Sequence, residues 1–160
     1  MIISADTPVH GYSVPARSLP ADVQLTTLMG TRVVPCFIAT TLHPVKMLRV
    51  IAGKHSITVS ADTNLMAMHE DSVHPSWVAA GSLRDKKNLH LFCPFMRTQE
   101  ENVMSTFMWR LVRQLGAEAL PFHGVEEVTG DGVLFSVPSP DDVQGIIVGG
   151  FIVAAVHAGG

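Results

Sequence analysis

Eight histidines in 160 residues are the first place to look for chemistry. The densest group is Met68-His69-Glu70-Asp71-Ser72-Val73-His74. Imidazole and carboxylate together ligate Zn, Fe or Mn, so His69, Glu70, Asp71 and His74 are candidate ligands for a divalent metal. Spacing restricts how they could act. Five residues apart on one helix, His69 and His74 would diverge by about 140°. The zinc-binding helix pattern H-E-x-x-H sets its imidazoles four apart, on one face. The four residues could meet a metal only from a loop or a helix end; otherwise the segment is a polar surface loop.

Covalent chemistry would need a nucleophile, a base and an orienting acid. Two sets have the right residue types: Cys93 with His90, and Ser60 with His55 and Asp62. Neither has diagnostic spacing. Three apart on a strand, His90 and Cys93 point to opposite faces. There is no G-x-S-x-G, no phosphate-binding Walker loop and no G-x-G-x-x-G. Cys36 and Cys93 both lie in apolar runs and form no C-x-x-C, which excludes a zinc ribbon or a thioredoxin-type pair. They read as reduced thiols behaving as small hydrophobes. Met1-Ile-Ile-Ser-Ala-Asp6 has neither the basic region nor the apolar core of a signal peptide. A cytoplasmic protein is expected, with no cofactor other than the alternative of a divalent metal.

The chain carries 11 Lys and Arg against 14 Asp and Glu, a net charge of −3. That excludes an overall basic nucleic-acid binder, and nucleic acid is not an expected partner. Basic residues gather in two places: Arg84, Lys86 and Lys87 in one loop, and Arg110 and Arg113 on a long helix expected after Thr98. On that helix Trp109 lies about 120° outside the apolar arc, on the polar side with Asn102, Arg110 and Arg113. Trp and Arg are the residues most enriched at binding hot spots. These four are the candidate partner surface, unless the N-terminal arm or residues 61–87, Trp77 included, cover Trp109. From Val143 to Gly160 no charged residue occurs. This run is shorter than the ~20 apolar residues of a spanning helix and rich in glycine, so it reads as a short helix and a buried strand rather than a membrane anchor.

The elements that must position these residues follow from periodicity. With 47% hydrophobic and 16% charged residues, a single compact domain over 1–160 is expected. Residues 1–30 read as an irregular arm, with a short strand near Met1–Ser4 and a turn after Pro20. Residues 31–60 read as a three-strand meander: Arg32–Thr40, with Pro35 marking an edge or a bulge, then Val45–Ala52 and His55–Ser60. Gly53-Lys54 suits a type II′ turn between the last two. Asp62 could cap a helix through Met68, and His74-Pro75 could start a second one ended by Gly81.

Residues 88–160 read as β-α-β-β-α-β. The strand Leu89–Phe95 precedes a helix opened by the capping box Thr98-Gln-Glu-Glu101 and closed by Gly116. Its apolar residues Val103, Met104, Phe107, Met108, Leu111, Val112 and Leu115 share one arc. A hairpin follows through Thr129-Gly-Asp-Gly132, then a helix from Ser139-Pro140 to Gly149, then a strand from Phe151 to His157. That order implies an α+β, ferredoxin-like antiparallel sheet. No internal repeat shows at a 20–50-residue period. The function expected from this reading is a small non-enzymatic binding or regulatory protein that associates with another protein or with itself as a homo-oligomer. Alternatives are a metal-dependent, hydrolase-type enzyme using His69–His74 and a small-ligand sensor using the sheet face.

Overall fold

The computed structural model describes residues 1–9, 14–20, 22–27, 30–35, 37–71, 76–93, 118–136, 145–148 and 151–154. Among them lie thirteen strands, two 3-10 helices (Ala16–Ser18 and Ala80–Asp85) and no α-helix. In chain order the strands are β1 (Ile2–Ser4), β2 (Asp22–Thr27), β3 (Gly30–Pro35), β4 (Phe37–Thr40), β5 (Val45–Ala52), β6 (His55–Val59) and β7 (Asn64–His69). They continue with β8 (Ser76–Ala79), β9 (Leu89–Cys93), β10 (Glu118–Gly130), β11 (Gly132–Ser136), β12 (Gly145–Val148) and β13 (Phe151–Ala154). No helix of the described residues is long and apolar enough to cross a membrane.

The strands run in the order β3-β2-β12-β13-β7-β9-β10-β5-β6-β1-β11-β4, with β8 on the side of β7, and every pairing is antiparallel. The thirteen-residue β10 joins the two halves. Its start, Glu118–Pro121, pairs with β9, and from Phe122 onward it pairs with β5. Between these partners His123 is an extra residue, since Phe122 opposes Ala52 and Gly124 opposes Ile51. Such a bulge bends a strand and sharpens its twist, which lets one strand serve two sheets.

This is not the α+β ferredoxin-like fold expected. The residues read as a helix from Asp62 to Met68 form β7, whose burial runs through Leu65, Met66, Ala67 and Met68. Leu, Met and Ala are good helix formers, but such preferences amount to fractions of a kcal/mol per residue and yield to tertiary context. Here β8 on one side and β9 and β13 on the other pair with its backbone, and burial of successive residues on both faces outweighs that preference. Gly145–Val148 is likewise a strand, hairpinned with β13, where the second helix of the expected β-α-β-β-α-β order would lie. The N-terminal meander is also corrected. Its first strand is two: β3 pairs with β2, and β4 pairs with β11 rather than β5. The β5–β6 hairpin does form, and Gly53 turns it at φ 58. The long helix expected over 98–115 lies outside the described residues.

Four residues occur twice: Ser4-Ala5-Asp6-Thr7 and Ser60-Ala61-Asp62-Thr63. The two copies fold alike. Each follows a strand, β1 or β6, and these pair with each other at Ile3 and Val59. Each closes a turn, Thr7 N–H donating to Ser4 O and Thr63 N–H to Ser60 O, both at 3.0 Å. Each is followed by a short antiparallel bridge, Pro8 with Pro15 and Asn64 with Ala79. Each then receives a 3-10 helix. Ala16 N–H donates to Thr7 O and Ala80 N–H to Thr63 O; Arg17 N–H donates to Ala5 O and Gly81 N–H to Ala61 O. Thr7 and Thr63 are the buried polar residues of the described set. A local two-fold axis therefore passes between Ile3 and Val59.

The core lies between the halves and includes Ile3, Val50, Val59, Leu65, Leu83, Leu91, Val133 and Phe151, all fully or almost fully buried. Leu65→Ala or Leu91→Ala should cost about 2–5 kcal/mol, the usual range for a buried leucine that leaves a cavity. Leu42→Ala, at a side chain 93% exposed, should change stability by less than about 0.5 kcal/mol. Urea unfolding of the three variants checks the contrast.

Candidate functional site

The second Ser-Ala-Asp-Thr corner grips the backbone of the first strand. Ile2 N–H donates to Ser60 Oγ at 3.0 Å, and Ser60 N–H donates to Ile2 O at 2.7 Å. Ser60 Oγ donates to Asp62 Oδ1 at 2.6 Å and lies 2.8 Å from Thr63 Oγ1. A serine hydroxyl has one proton and two acceptor positions. The proton goes to the carboxylate, which cannot donate, so Thr63 gives its own proton to Ser60. All three positions on Ser60 Oγ are then used. Thr63 is 0% exposed, so its hydroxyl is held without water.

The other side of β1 is set by backbone clearance. Ile2 opposes Leu134 and Ser4 opposes Gly132 across β11. A Cβ on Gly132 would come within 2.5 Å of Ile2 Cγ2 and 3.3 Å of Val45 Cγ2. Only glycine lets the two strands approach so closely while Ile2 keeps its place. Gly132 N–H donates to Thr41 Oγ1 at 3.0 Å, and Ala5 N–H donates to Asp131 O at 2.9 Å. Both edges of β1 are thus bonded around the Met1–Ile2 peptide group, with the Met1 side chain itself buried.

The two corners differ in charge. Asp6 is ion-paired with Arg17. At the matching place after the second corner stands Gly81, where a Cβ would crowd Ala61 at 3.2 Å. Asp62 consequently has no cation partner among the described residues, and its hydrogen-bond partner is Ser60.

Of the residues singled out from sequence, Ser60 and Asp62 do meet, but without His55. That residue begins β6, five positions from Ser60, or about 17 Å along an extended strand. His69 is half-buried at the end of β7, and Glu70 and Asp71 are exposed in the turn that follows. Glu70 N–H donates to Asn88 O at 3.0 Å. No cluster of three or more metal-ligating side chains exists among the described residues, of which His74 is not one. Asn102, Trp109, Arg110 and Arg113 also lie outside them. Sequence reasoning missed Thr63, Ile2 and Gly132. The signal available for the first was the Ser-Ala-Asp-Thr repeated 56 residues apart, outside the roughly 20–50-residue periods of repeat folds.

No protein-family model matches the chain, and no curated protein matches it. Solved structures do. The DnaB intein from Synechocystis sp. PCC 6803 is 14% identical with a TM-score of 0.64, over 96% of this chain and 97% of that one. A KlbA intein precursor from Methanococcus jannaschii is 12% identical with a TM-score of 0.62, over 99% of this chain and 93% of that one. A splice-inactive variant of the AceL NrdHF class 3 split intein, with a cysteine and an asparagine replaced by alanine, is 4% identical with a TM-score of 0.54, over 98% of each chain. At these identities the likeness is one of fold, and it spans nearly the whole chain. It overturns the expectation of a non-enzymatic regulatory protein acting by association, since the shared fold is that of self-splicing, protein-processing domains.

Ser60→Ala would leave the Ile2 N–H and the Thr63 hydroxyl without their acceptor. A loss of about 1–3 kcal/mol is expected, together with faster hydrogen exchange at the Ile2 amide. Asp62→Asn, at an exposed side chain that keeps an acceptor oxygen, should cost less than about 1 kcal/mol. Thermal unfolding and amide exchange of the two variants check the order.

Proposed function

We propose that this chain is a protein-processing domain of the intein type whose N-terminal centre keeps the grip on the peptide group and lacks the nucleophile that would break it. The grip of Ser60 on the Ile2 amide, with the Ser60 hydroxyl itself held by Asp62 and Thr63, is the observation that carries this reading. Held in this way, the peptide bond between residues 1 and 2 is placed for an acyl shift. In that step a hydroxyl or thiol on residue 2 attacks the carbonyl carbon of residue 1 through a five-membered ring. The nucleophile's proton passes to the departing nitrogen, and an ester or thioester replaces the amide.

Ile2 has no atom that can attack. Ser60 cannot substitute while its donor and both acceptor positions are occupied. In the splice-inactive split intein, a cysteine and an asparagine are the residues replaced; the present chain has an aliphatic side chain where its own grip would need a nucleophile. The reading includes a reducing, cytoplasmic compartment, supported by the two cysteines in apolar runs.

The test is a chain carrying a reporter segment ahead of Met1, as the natural sequence and as Ile2→Cys, each incubated with and without excess small thiol. Mass spectrometry reads the fragments. The natural chain should stay intact, and Ile2→Cys should release the reporter ahead of residue 2 when thiol is present. Adding Ser60→Ala to Ile2→Cys should slow release by roughly tenfold or more, the loss of one positioned hydrogen bond. Cleavage of the natural chain would sink the proposal. So would a folded Ile2→Cys chain that thiol leaves whole.

A further inference from the structure

A groove of about 530 Å³ opens beside the bulge of β10 and shares no residue with the Ile2 centre. Arg84, Lys86, Lys87 and Asn88 line one wall; Phe122, His123, Gly124 and Val125 line the other. Its volume falls in the usual range for small-ligand sites. Three of the chain's 11 basic residues stand in four consecutive positions here, in a molecule of net charge −3. Arg84 is bonded to Glu127 at 3.2 Å, whereas neither Lys86 nor Lys87 has an acidic partner among the described residues. The opposite wall is half apolar: Phe122 and Val125 are half-buried, and the bulged His123 is exposed. Nothing lies within 4 Å of the place a Cβ on Gly124 would occupy, so a ligand has open access to the bulged backbone.

Two lysines without acidic partners on one wall and an exposed imidazole on the other suit a ligand with an anionic head and a flat, weakly polar body. We propose that this groove binds a nucleoside monophosphate, with its phosphoryl group on Lys86 and Lys87 and its base against His123 on the opposite wall. Ammonium groups attract the phosphoryl dianion as point charges, and a base stacks on an aromatic face whatever its sequence context. Arg84 lines the same groove, and Glu127, which holds it, adds a negative charge that disfavours the further charges of a polyphosphate chain. One phosphoryl group, rather than a polyphosphate chain, therefore fits this site.

The test uses the full chain labelled with ¹⁵N, titrated in turn with adenosine 5′-monophosphate, adenosine and inorganic phosphate at constant ionic strength. The monophosphate should move the amides of residues 84–88 and 122–125 and bind roughly tenfold more tightly than either component. Lys86→Glu/Lys87→Glu should weaken the monophosphate by roughly tenfold or more, as two reversed charges would, with an unchanged melting temperature. His123→Ala should weaken the monophosphate and leave inorganic phosphate unaffected. Undisturbed groove amides would overturn the proposal. Equal binding of phosphate and monophosphate would do so too, as would a charge-reversed chain that binds like the natural one.

Discussion

Everything in this structure depends on placing three residues, Ile2–Ser4, inside the sheet rather than at its edge. β1 is bonded to β6 on one side and to β11 on the other. Its partners come from residue 59 and from residues 132–134, so the chain must close loops of very different length to make one strand whole. Such pairings bring no reward until the ends meet, which makes them the costly part of folding. Two features offset that cost locally. Gly132 removes the side chain that would collide with Ile2, and Ser60 supplies an acceptor for the Ile2 amide from its hydroxyl.

The two Ser-Ala-Asp-Thr corners show how one local fold can carry different chemistry. In both, a buried threonine closes the turn, and a 3-10 helix donates to the same two carbonyls. The first corner is electrostatically complete, because Arg17 sits beside Asp6. In the second, glycine stands at the equivalent position, tightly packed on Ala61. The carboxylate of Asp62 turns instead to the serine hydroxyl that holds β1. The same corner thus carries an ion pair in one copy and a hydroxyl–carboxylate bond beside the Ile2 backbone in the other.

Legibility differed sharply between elements. The β5–β6 hairpin could be read because alternation and turn chemistry agree: Ile57 and Val59 are buried, while His55 and Ser56 are exposed beside a glycine that takes positive φ. The hairpin expected through Thr129–Gly132 does not form, since β10 pairs with β9 and β5 and β11 pairs with β1 and β4; only its turn was legible. β7 was not, because Leu65, Met66, Ala67 and Met68 are apolar without alternation, and that pattern fits a buried helix as well as a buried strand. Ser60 and Asp62 could be singled out by residue type. Residue type points to an imidazole as their partner, whereas the group that completes the site is the backbone amide of Ile2.

The amino-acid sequence by itself determined the alternating strands β5 and β6, the tight turn between them and the charge distribution, because each depends on residues within a few positions of one another. It also wrote the Ser-Ala-Asp-Thr corner twice. Only the tertiary structure decided that β4 pairs with β11, that β10 bends from one sheet into the other, and that Ser60 meets Ile2. Those outcomes depend on which distant backbone edges can approach without steric conflict and leave no amide unbonded. That competition is settled among all the strands together, and no local pattern of residues records it.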